Sequence, residues 1–437
     1  MMKTRNPDRS AHIPITDFTH DPRVHVAVNK IKRMADKHFS DIVDDAGHQY
    51  VDLVMEGGGI LGIALVGYCY GLEQAGIRFL GLGGTSAGAI TAMLLAAAGT
   101  PDQAKGDQMI EMLANMPMAD FLDGNPTAND VALTAAHHLP DWDWLWQMPM
   151  LWKVPRLLYT LYKNNGINPG TQFEHWLTQT IARYAISSSA DLRAKLSLLH
   201  AHVRDDIPED EVHPTSTTTP IEASLKIIAS DITTGSKVEF PHHASLYWEH
   251  VDSVNPAAYV RASMSIPLFF YPYVVSPCPQ VADPSSPTSP WKTLLSYDGK
   301  PPSSATFIDG GIVENFPIGM FHAPYRIPRA PTFGVKLSGR RKLSSANNIY
   351  HLISGIFNVA RHALDYDYII NHPDYHYIVK YIKINHDDYN WLDLSMPSNK
   401  KVELFRLGVE AAASFLKTFD WAHYKQVRQG MAEAANA

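Results

Sequence analysis

Cysteine is scarce in this sequence, with only Cys69 and Cys278 among 437 residues. The first falls in a predicted helix and the second in a proline-rich stretch, so we expect neither a disulfide framework nor a cysteine metal cluster. A reducing compartment follows from that scarcity. The predicted location is therefore the cytoplasm, with peripheral membrane attachment and specialised export both left open.

Long apolar runs are also missing. No stretch approaches the roughly 20 apolar residues that span a bilayer, and residues 1–37 contain no apolar run of signal-peptide length. Any membrane contact should then be peripheral. The candidate is the segment 142–162, where tryptophan, methionine and tyrosine alternate with lysine and arginine, a composition suited to an interface. The alternative is that these aromatics pack inside the domain or roof the active site.

Positive charge is not in excess, because 44 acidic residues face 37 basic ones and the formal net charge is −7. This balance disfavours nucleic acid as a partner. Metal-ligand patterns are limited to His242-His243 and His386-Asp387-Asp388. Adjacent residues on a strand point to opposite faces, and no EF-hand spacing of acidic residues occurs, so we expect no metal and no cofactor.

Glycine, in contrast, is concentrated around one serine. The run Gly84-Thr85-Ser86-Ala87-Gly88 follows a predicted strand over 77–82 and precedes a predicted helix over 89–97. A serine between two glycines at a strand-to-helix turn is typical of a nucleophile elbow. Read alone, the same run also fits an ordinary turn with a serine cap.

A second glycine cluster, Gly57-Gly58-Gly59, lies upstream between a predicted strand over 51–55 and a predicted helix that continues to Leu72. Amides at a helix N-terminus form a cradle for anions. Gly57, Gly59 and Gly62 also match a dinucleotide fingerprint, but the next strand does not end in the acidic residue that would bind a ribose. The cluster therefore favours an oxyanion hole.

The third motif is Asp309-Gly310-Gly311, which follows a predicted strand over 306–308. An Asp-Gly turn after a strand is common and usually has no catalytic meaning. Its interpretation depends on the two glycine-rich motifs upstream.

Together, the three motifs resemble those of the patatin-like phospholipase family in order and broad spacing, and the resemblance extends from about Tyr50 to Phe419. It includes the segments 227–235 and 260–267, which look like family core segments. The resemblance implies the following roles: Ser86 as nucleophile, Asp309 as its base in a two-residue dyad, the amides of Gly57, Gly58 and Gly59 as oxyanion donors, and Gly84, Gly88, Gly310 and Gly311 as supports of the elbow and turn. One departure is Leu61, because many members have arginine or lysine at that position of the loop.

The implied activity is that of a lipid acyl ester hydrolase of the phospholipase A or lipase type. Ser86 would form an acyl-enzyme after giving its proton to Asp309, and partial desolvation would strengthen that carboxylate as a base. The partner is then a lipid acyl ester.

Two alternatives stay open. A Ser-His-Asp esterase would place its histidine after the acid in chain order, and none of the candidates stands in a distinctive motif; these are His322, His351, His362, His372, His376, His386 and His423. A non-catalytic lipid-binding protein of patatin shape is the alternative from a different class.

Strands alternating with helices predict an α/β fold, specifically a three-layer α/β/α sandwich with a mostly parallel central sheet. Further strands are expected over 225–229, 332–337 and 377–384, and further helices over 348–363 and 403–419. The predicted organisation is an N-terminal extension over 1–47, a catalytic domain over 48–420 with insertions near 187–222 and 276–305, and a C-terminal helical tail over 421–437.

Overall fold

The computed structural model describes residues 12–127, 129, 154–205, 221–281, 286, 288–322, 326–337, 371–385, 388–389 and 396–436. The chain divides into two compact units. The first comprises Met1–Met116, Ala190–Lys226 and Glu314–Ala437, and the second comprises Pro117–Ser189 and Ile227–Val313. The predicted helix over 348–363 and positions 142–153 of the aromatic segment lie outside the described residues.

The first unit contains a mostly parallel sheet. Its strands are β1 (Ile42–Val43), β2 (Gln49–Met55), β3 (Ile77–Gly84), β5 (His202–Val203), β11 (Thr332–Lys336) and β12 (Val379–Tyr381). The strands β12, β11, β2 and β3 are parallel neighbours in that order, with the pairs Lys336↔Tyr381, Val335↔Met55 and Met55↔Gly84 at their carboxyl ends. The short β1 is antiparallel to β2 and β5. Parallel strands buried on both faces read as nearly continuous apolar runs, as β2 and β3 do.

Helices account for most of the remaining structure of the first unit. They are α1 (Ile15–Thr19), α2 (Pro22–Lys32), α3 (Gly62–Glu73), α4 (Ala87–Ala97), α5 (Gly106–Ala114), α8 (Ser189–Leu196), α11 (Tyr375–Ile378), α12 (Ser398–Thr418) and α13 (Trp421–Asn436). Apart from one partly exposed residue in α3, every residue of α3 and α4 is buried. The core of this unit therefore lies along the helices that follow β2 and β3.

The second unit contains the other described helices and strands, with β6 starting three residues before the unit's boundary: α6 (Val154–Asn164), β4 (Gly166–Asn168), α7 (Thr171–Ala182), β6 (Ser224–Asp231), β7 (Ser236–Phe240), α9 (Ala257–Ser263), β8 (Leu268–Phe270), β9 (Tyr273–Val275), α10 (Pro290–Leu295) and β10 (Ala305–Ile308). Here the order β7, β6, β10, β9 is antiparallel throughout, with Ala229↔Val238 and Phe307↔Asp231 among the pairs. A separate parallel pair joins β4 and β8.

The predicted α/β class with a mostly parallel sheet is confirmed by the first unit. The strands expected over 225–229 and 332–337 and the helix expected over 403–419 are present with shifted ends. The strand expected over 377–384 is wrong in part, because the chain forms the helical turn α11 before the short β12. Tyr375 and Ile378 are both buried, a spacing of three that fits a helical turn.

Within the described part of the chain, no helix is both long and apolar enough to cross a membrane. Both cysteines are buried free thiols. The adjacent His242 and His243 were expected on a strand but follow the end of β7, where their rings lie 4.8 Å apart.

Candidate active site

Ser86 occupies a strained position between β3 and α4. Its backbone angles, φ 55° and ψ −120°, fall in a region that non-glycine residues rarely adopt. A Cβ on Gly84 would lie 2.6 Å from the carbonyl carbon of Gly88, and a Cβ on Gly88 would overlap the carbonyl oxygen of Met55. Only glycine therefore fits on either side of this turn. The Ser86 residue is 3% exposed, and its carbonyl accepts the first hydrogen bond of the following helix from Ile90.

The glycine loop packs directly against this serine. It runs from the end of β2 through a short 3-10 turn over Gly59–Leu61 into α3. A Cβ on Gly57 would lie 3.0 Å from the Cβ of Ser86 and 2.6 Å from Oδ1 of Asn315. Gly59 has a φ of 58°, which glycine alone adopts without strain. The structure thus brings Gly57 against Ser86, with Gly58 and Gly59 next in the loop.

The amides of the loop are not equivalent. Gly57 donates its N–H to the carbonyl of Asn315 at 3.1 Å, so the structure differs from the prediction that this amide binds an oxyanion. Among the described residues, no carbonyl accepts a hydrogen bond from Gly58 or Gly59. Both amides precede the first turns of α3, where helical N–H groups have no partner inside the helix. Gly58 and Gly59 are therefore the candidate donors.

A segment that follows the Asp-Gly-Gly motif holds the elbow and the loop in place. Glu314 accepts a hydrogen bond on its carbonyl from Oγ1 of Thr85 at 3.0 Å. The side chain of Asn315 donates from Nδ2 to the carbonyl of Gly57 at 3.3 Å, and the main-chain carbonyl of Asn315 accepts from the Gly57 amide. Asn315 is buried. Asn315 is not among the predicted site residues, although a polar residue in an apolar run beside a motif is a usable signal.

A buried ion pair lies at the base of the glycine loop. Lys336 at the end of β11 places Nζ 3.0 Å from Oε1 of Glu56, the residue that precedes Gly57. The other carboxylate oxygen of Glu56 accepts the N–H of Leu337 at 2.6 Å. Both charged residues are buried. Nothing in the sequence pattern links two residues 280 positions apart.

Asp309 belongs to the second unit, where its main chain is held from two sides. Its N–H donates to the carbonyl of Ser265 at 2.8 Å, and its carbonyl accepts from Oγ of Ser230 at 2.9 Å. The side chain caps a 3-10 turn over Gly310–Ile312, because Oδ1 accepts from the amide of Gly311 at 2.8 Å. Asp309 is 5% exposed. Its carboxylate is therefore fixed in direction and shielded from solvent.

Arg261 supports this arrangement through Ser265, the residue whose carbonyl binds the Asp309 amide. Its Nη1 donates to Oγ of Ser265 at 2.7 Å, and its Nη2 donates to the carbonyls of Pro169 and Tyr271. Burial lowers the pKa of the Arg261 guanidinium, although Glu174 acts in the opposite direction. Arg261 and Ser265 fall in the 260–267 segment noted in the sequence.

Three of the histidine candidates, His322, His372 and His423, make ring contacts in the first unit. Oδ2 of Asp374 accepts a hydrogen bond from Nε2 of His322 at 2.9 Å, and both side chains are buried. Burial alone would raise the pKa of Asp374, but the hydrogen bond and charge of His322, together with Arg428, lower it. His372 packs edge-on against His322, and His423 packs against Tyr377. His351, His362 and His386 lie outside the described residues.

Comparison with known protein families agrees with the motifs. The model of the family described as patatin-like phospholipase matches residues 53–322. An uncharacterized protein of Bacillus subtilis (strain 168), YqhO, is 25% identical over 375 residues, which cover 85% of this chain and all of that protein. The crystal structure of VipD from Legionella pneumophila covers 88% of this chain and 72% of its own, with 14% identity and a TM-score of 0.39.

Proposed function

Because the chain belongs to the patatin-like phospholipase family, we propose that it is a lipid acyl ester hydrolase of the phospholipase A or lipase type, with Ser86 as its nucleophile. One observation carries the proposal. Ser86 is held at a strained turn between two glycines, and the glycine loop packs against it. A Cβ built on Gly57 would lie 3.0 Å from the Cβ of Ser86. A strained serine beside helix-terminal amides is the arrangement that acyl transfer requires.

Asp309 is the proposed base. A serine hydroxyl is a poor nucleophile until a neighbouring group takes its proton. Asp309 has a buried carboxylate that is fixed by the amide of Gly311. Glu314 follows only five residues later in the sequence, and its carbonyl accepts a hydrogen bond from the elbow residue Thr85.

The proposed reaction has two halves. Ser86 attacks the ester carbonyl, Asp309 takes the serine proton, and the amides of Gly58 and Gly59 bind the oxyanion of the tetrahedral intermediate. The carbon–oxygen bond to the alcohol then breaks, and the alcohol leaves with that proton. Water attacks the acyl-serine in the same way, which releases a fatty acid and restores the serine. No cofactor takes part in either half.

Peripheral contact with lipid surfaces is part of the proposal. In α6, the end of the 142–162 segment, Tyr159 and Tyr162 are 62% and 88% exposed. Lys163 and an exposed Arg156 lie on the same helix. Exposed tyrosines beside cations suit a membrane interface. A cytoplasmic location follows only from the scarcity of cysteine and is proposed on that ground.

The test is covalent labelling together with turnover. Wild type should react with a serine-directed fluorophosphonate and hydrolyse a chromogenic medium-chain acyl ester. Ser86→Ala should remove labelling and lower kcat by a factor of about 10⁴ or more. Asp309→Asn should strongly lower both the rate of labelling and kcat. Ser40→Ala, which changes another buried serine of the first unit, is the matched control and should label normally.

The same assay separates the alternatives. Labelling that survives Ser86→Ala would refute the nucleophile. A folded wild type that neither labels nor turns over any acyl ester would favour a lipid-binding protein. Loss of activity in a folded His322→Gln variant would favour a triad, because the dyad contains no histidine.

A further inference from the structure

The glycine loop lacks the basic residue that the family resemblance leads one to expect. Leu61 occupies that position, and its side chain is buried. A cation is nevertheless present at the base of the loop, because Lys336 forms its buried ion pair with Glu56 there. The positive charge comes from β11, whose pairing with β2 brings it to the loop.

We propose that Glu56 and Lys336 are positioning residues, which hold the glycine loop in the geometry that binds the oxyanion. The inference rests on the proposed acyl hydrolase function. It assigns to this pair an effect on the rate of the chemical step, exerted through the loop, with no contact to the substrate.

The pair fixes the place where the loop leaves the sheet. The N–H of Glu56 donates to the carbonyl of Val335 and so continues the β2–β11 ladder by one bond. The carboxylate of Glu56 then binds both the Lys336 ammonium and the Leu337 amide. One side chain therefore ties together the carboxyl ends of two strands, directly before Gly57.

Contacts from the pair reach the loop by two routes. The side chain of Leu337 lies against Gly58, since a Cβ on that glycine would lie 2.5 Å from Cδ1 of Leu337. The Lys336 ammonium lies 4.3 Å from the centre of the Phe316 ring. The neighbouring Asn315 exchanges two hydrogen bonds with Gly57. A shift of the pair would therefore move Gly57 and Gly58 together.

An ion pair at this depth needs a reason other than stability. Desolvation of two charges offsets most of their attraction, so a buried pair is weak evidence for a stabilising role. Geometric precision is different, because amides that bind an oxyanion act only when they are fixed in advance. Charge-assisted bonds to both strand ends provide that fixation.

The experiment compares Lys336→Met, Lys336→Arg, Glu56→Gln and the double variant Glu56→Gln/Lys336→Met. For each we measure kcat and KM with a soluble acyl ester, inhibition by a trifluoromethyl ketone that forms a tetrahedral adduct, and thermal stability. Active enzyme is counted by fluorophosphonate titration. Lys336→Met should lower kcat by about 10²-fold and weaken the ketone similarly, with little change in KM. Lys336→Arg should recover part of the rate, and the double variant should lose less than the product of the single losses.

Lys105→Met is the matched control. Lys105 is another buried lysine of the first unit, whose Nζ donates to the carbonyl of Leu95. Its loss should lower thermal stability and leave kcat per titrated site unchanged.

Two results would overturn the inference: an unchanged kcat and ketone affinity in folded Lys336→Met, or equal losses in Lys105→Met. If Lys336→Met does not fold, Glu56→Gln decides in the same way, because its amide oxygen still accepts from Leu337. A wild type that does not label would refute the proposed function instead.

Discussion

Ser86 has a positive φ that its side chain does not favour, and α4 begins at the next residue. Such a conformation costs about 1–3 kcal/mol and persists only where the surroundings determine it. Here they do, since Gly84 and Gly88 have no room for a side chain and Thr85 is bonded to the carbonyl of Glu314. This turn places the Cβ of Ser86 beside the glycine loop, 3.0 Å from a Cβ built on Gly57.

Gly59 provides a test of the loop at the level of one residue. Its φ of 58° makes alanine unfavourable by about 1–2 kcal/mol, and relief of that strain would rotate a proposed oxyanion donor. We expect Gly59→Ala to lower kcat by about 10²–10³-fold. Steady-state kinetics on titrated enzyme checks this.

The control for that prediction is Gly76→Ala. Gly76 has a φ of 77° in the turn before β3, with no atom within 4 Å of an added Cβ. It should show a similar loss of stability in a urea titration and normal turnover. Equal activity in the two variants would mean that Gly59 contributes only to folding.

Two helices of the first unit cross at glycines. A Cβ on Gly67 of α3 would overlap the carbonyl of Phe405, and one on Gly408 of α12 would overlap the carbonyl of Ala64. The backbones therefore touch at this crossing, and each added methyl group would meet main-chain atoms that cannot rotate away.

We expect Gly408→Ala to lower the free energy of unfolding by about 3 kcal/mol, the upper range for overpacking. Gly430→Ala is the matched change in an open helical site of α13, where an added Cβ meets nothing within 4 Å. It should be neutral or stabilise by up to about 1 kcal/mol, because alanine is the better helix former. Urea unfolding of both variants decides. A stable Gly408→Ala would show that the crossing can open without cost.

At the scale of elements, the sequence predicts what local pattern controls. The helix after Gly62 and the strand before Gly84 follow from apolar periodicity and glycine punctuation. The helical turn at Tyr375 is too short to have a distinct period, which explains the error there. The Glu56–Lys336 pair and the use of the Gly57 amide by Asn315 depend on strands and loops far apart in sequence. Which residues become partners in these contacts is set by the order of the strands in the sheet, and no local sequence pattern contains that order.

At the scale of the whole chain, each compact unit is assembled from separate segments, three for the first and two for the second. The boundaries predicted from the sequence stay predictions. Such an arrangement makes contacts between residues far apart in sequence numerous inside each unit. One of these contacts involves a buried acid, whose ionisation should be visible in the pH dependence of unfolding.

Glu73 at the end of α3 accepts the amides of Lys105 and Gly106 and so caps α5. Burial raises its pKa from 4.5 to about 7, against the opposing effect of these hydrogen bonds and of nearby Arg78 and Lys105. The folded state therefore holds a proton that the unfolded state releases near pH 4.5. Its contribution to stability is complete below that pH and is lost as pH rises through 7.

We expect the free energy of unfolding of the wild type to fall between pH 5 and pH 7, with Glu73 contributing a few kcal/mol, roughly 3 at most. Glu73→Gln cannot titrate, so its stability should depend less steeply on pH over this range, whatever its absolute value. Asp45→Asn removes a fully exposed carboxylate and should keep the wild-type slope. Urea unfolding at half-unit pH steps gives the slopes, and a Glu73→Gln slope as steep as that of the wild type would show that Glu73 is ionised in the folded protein.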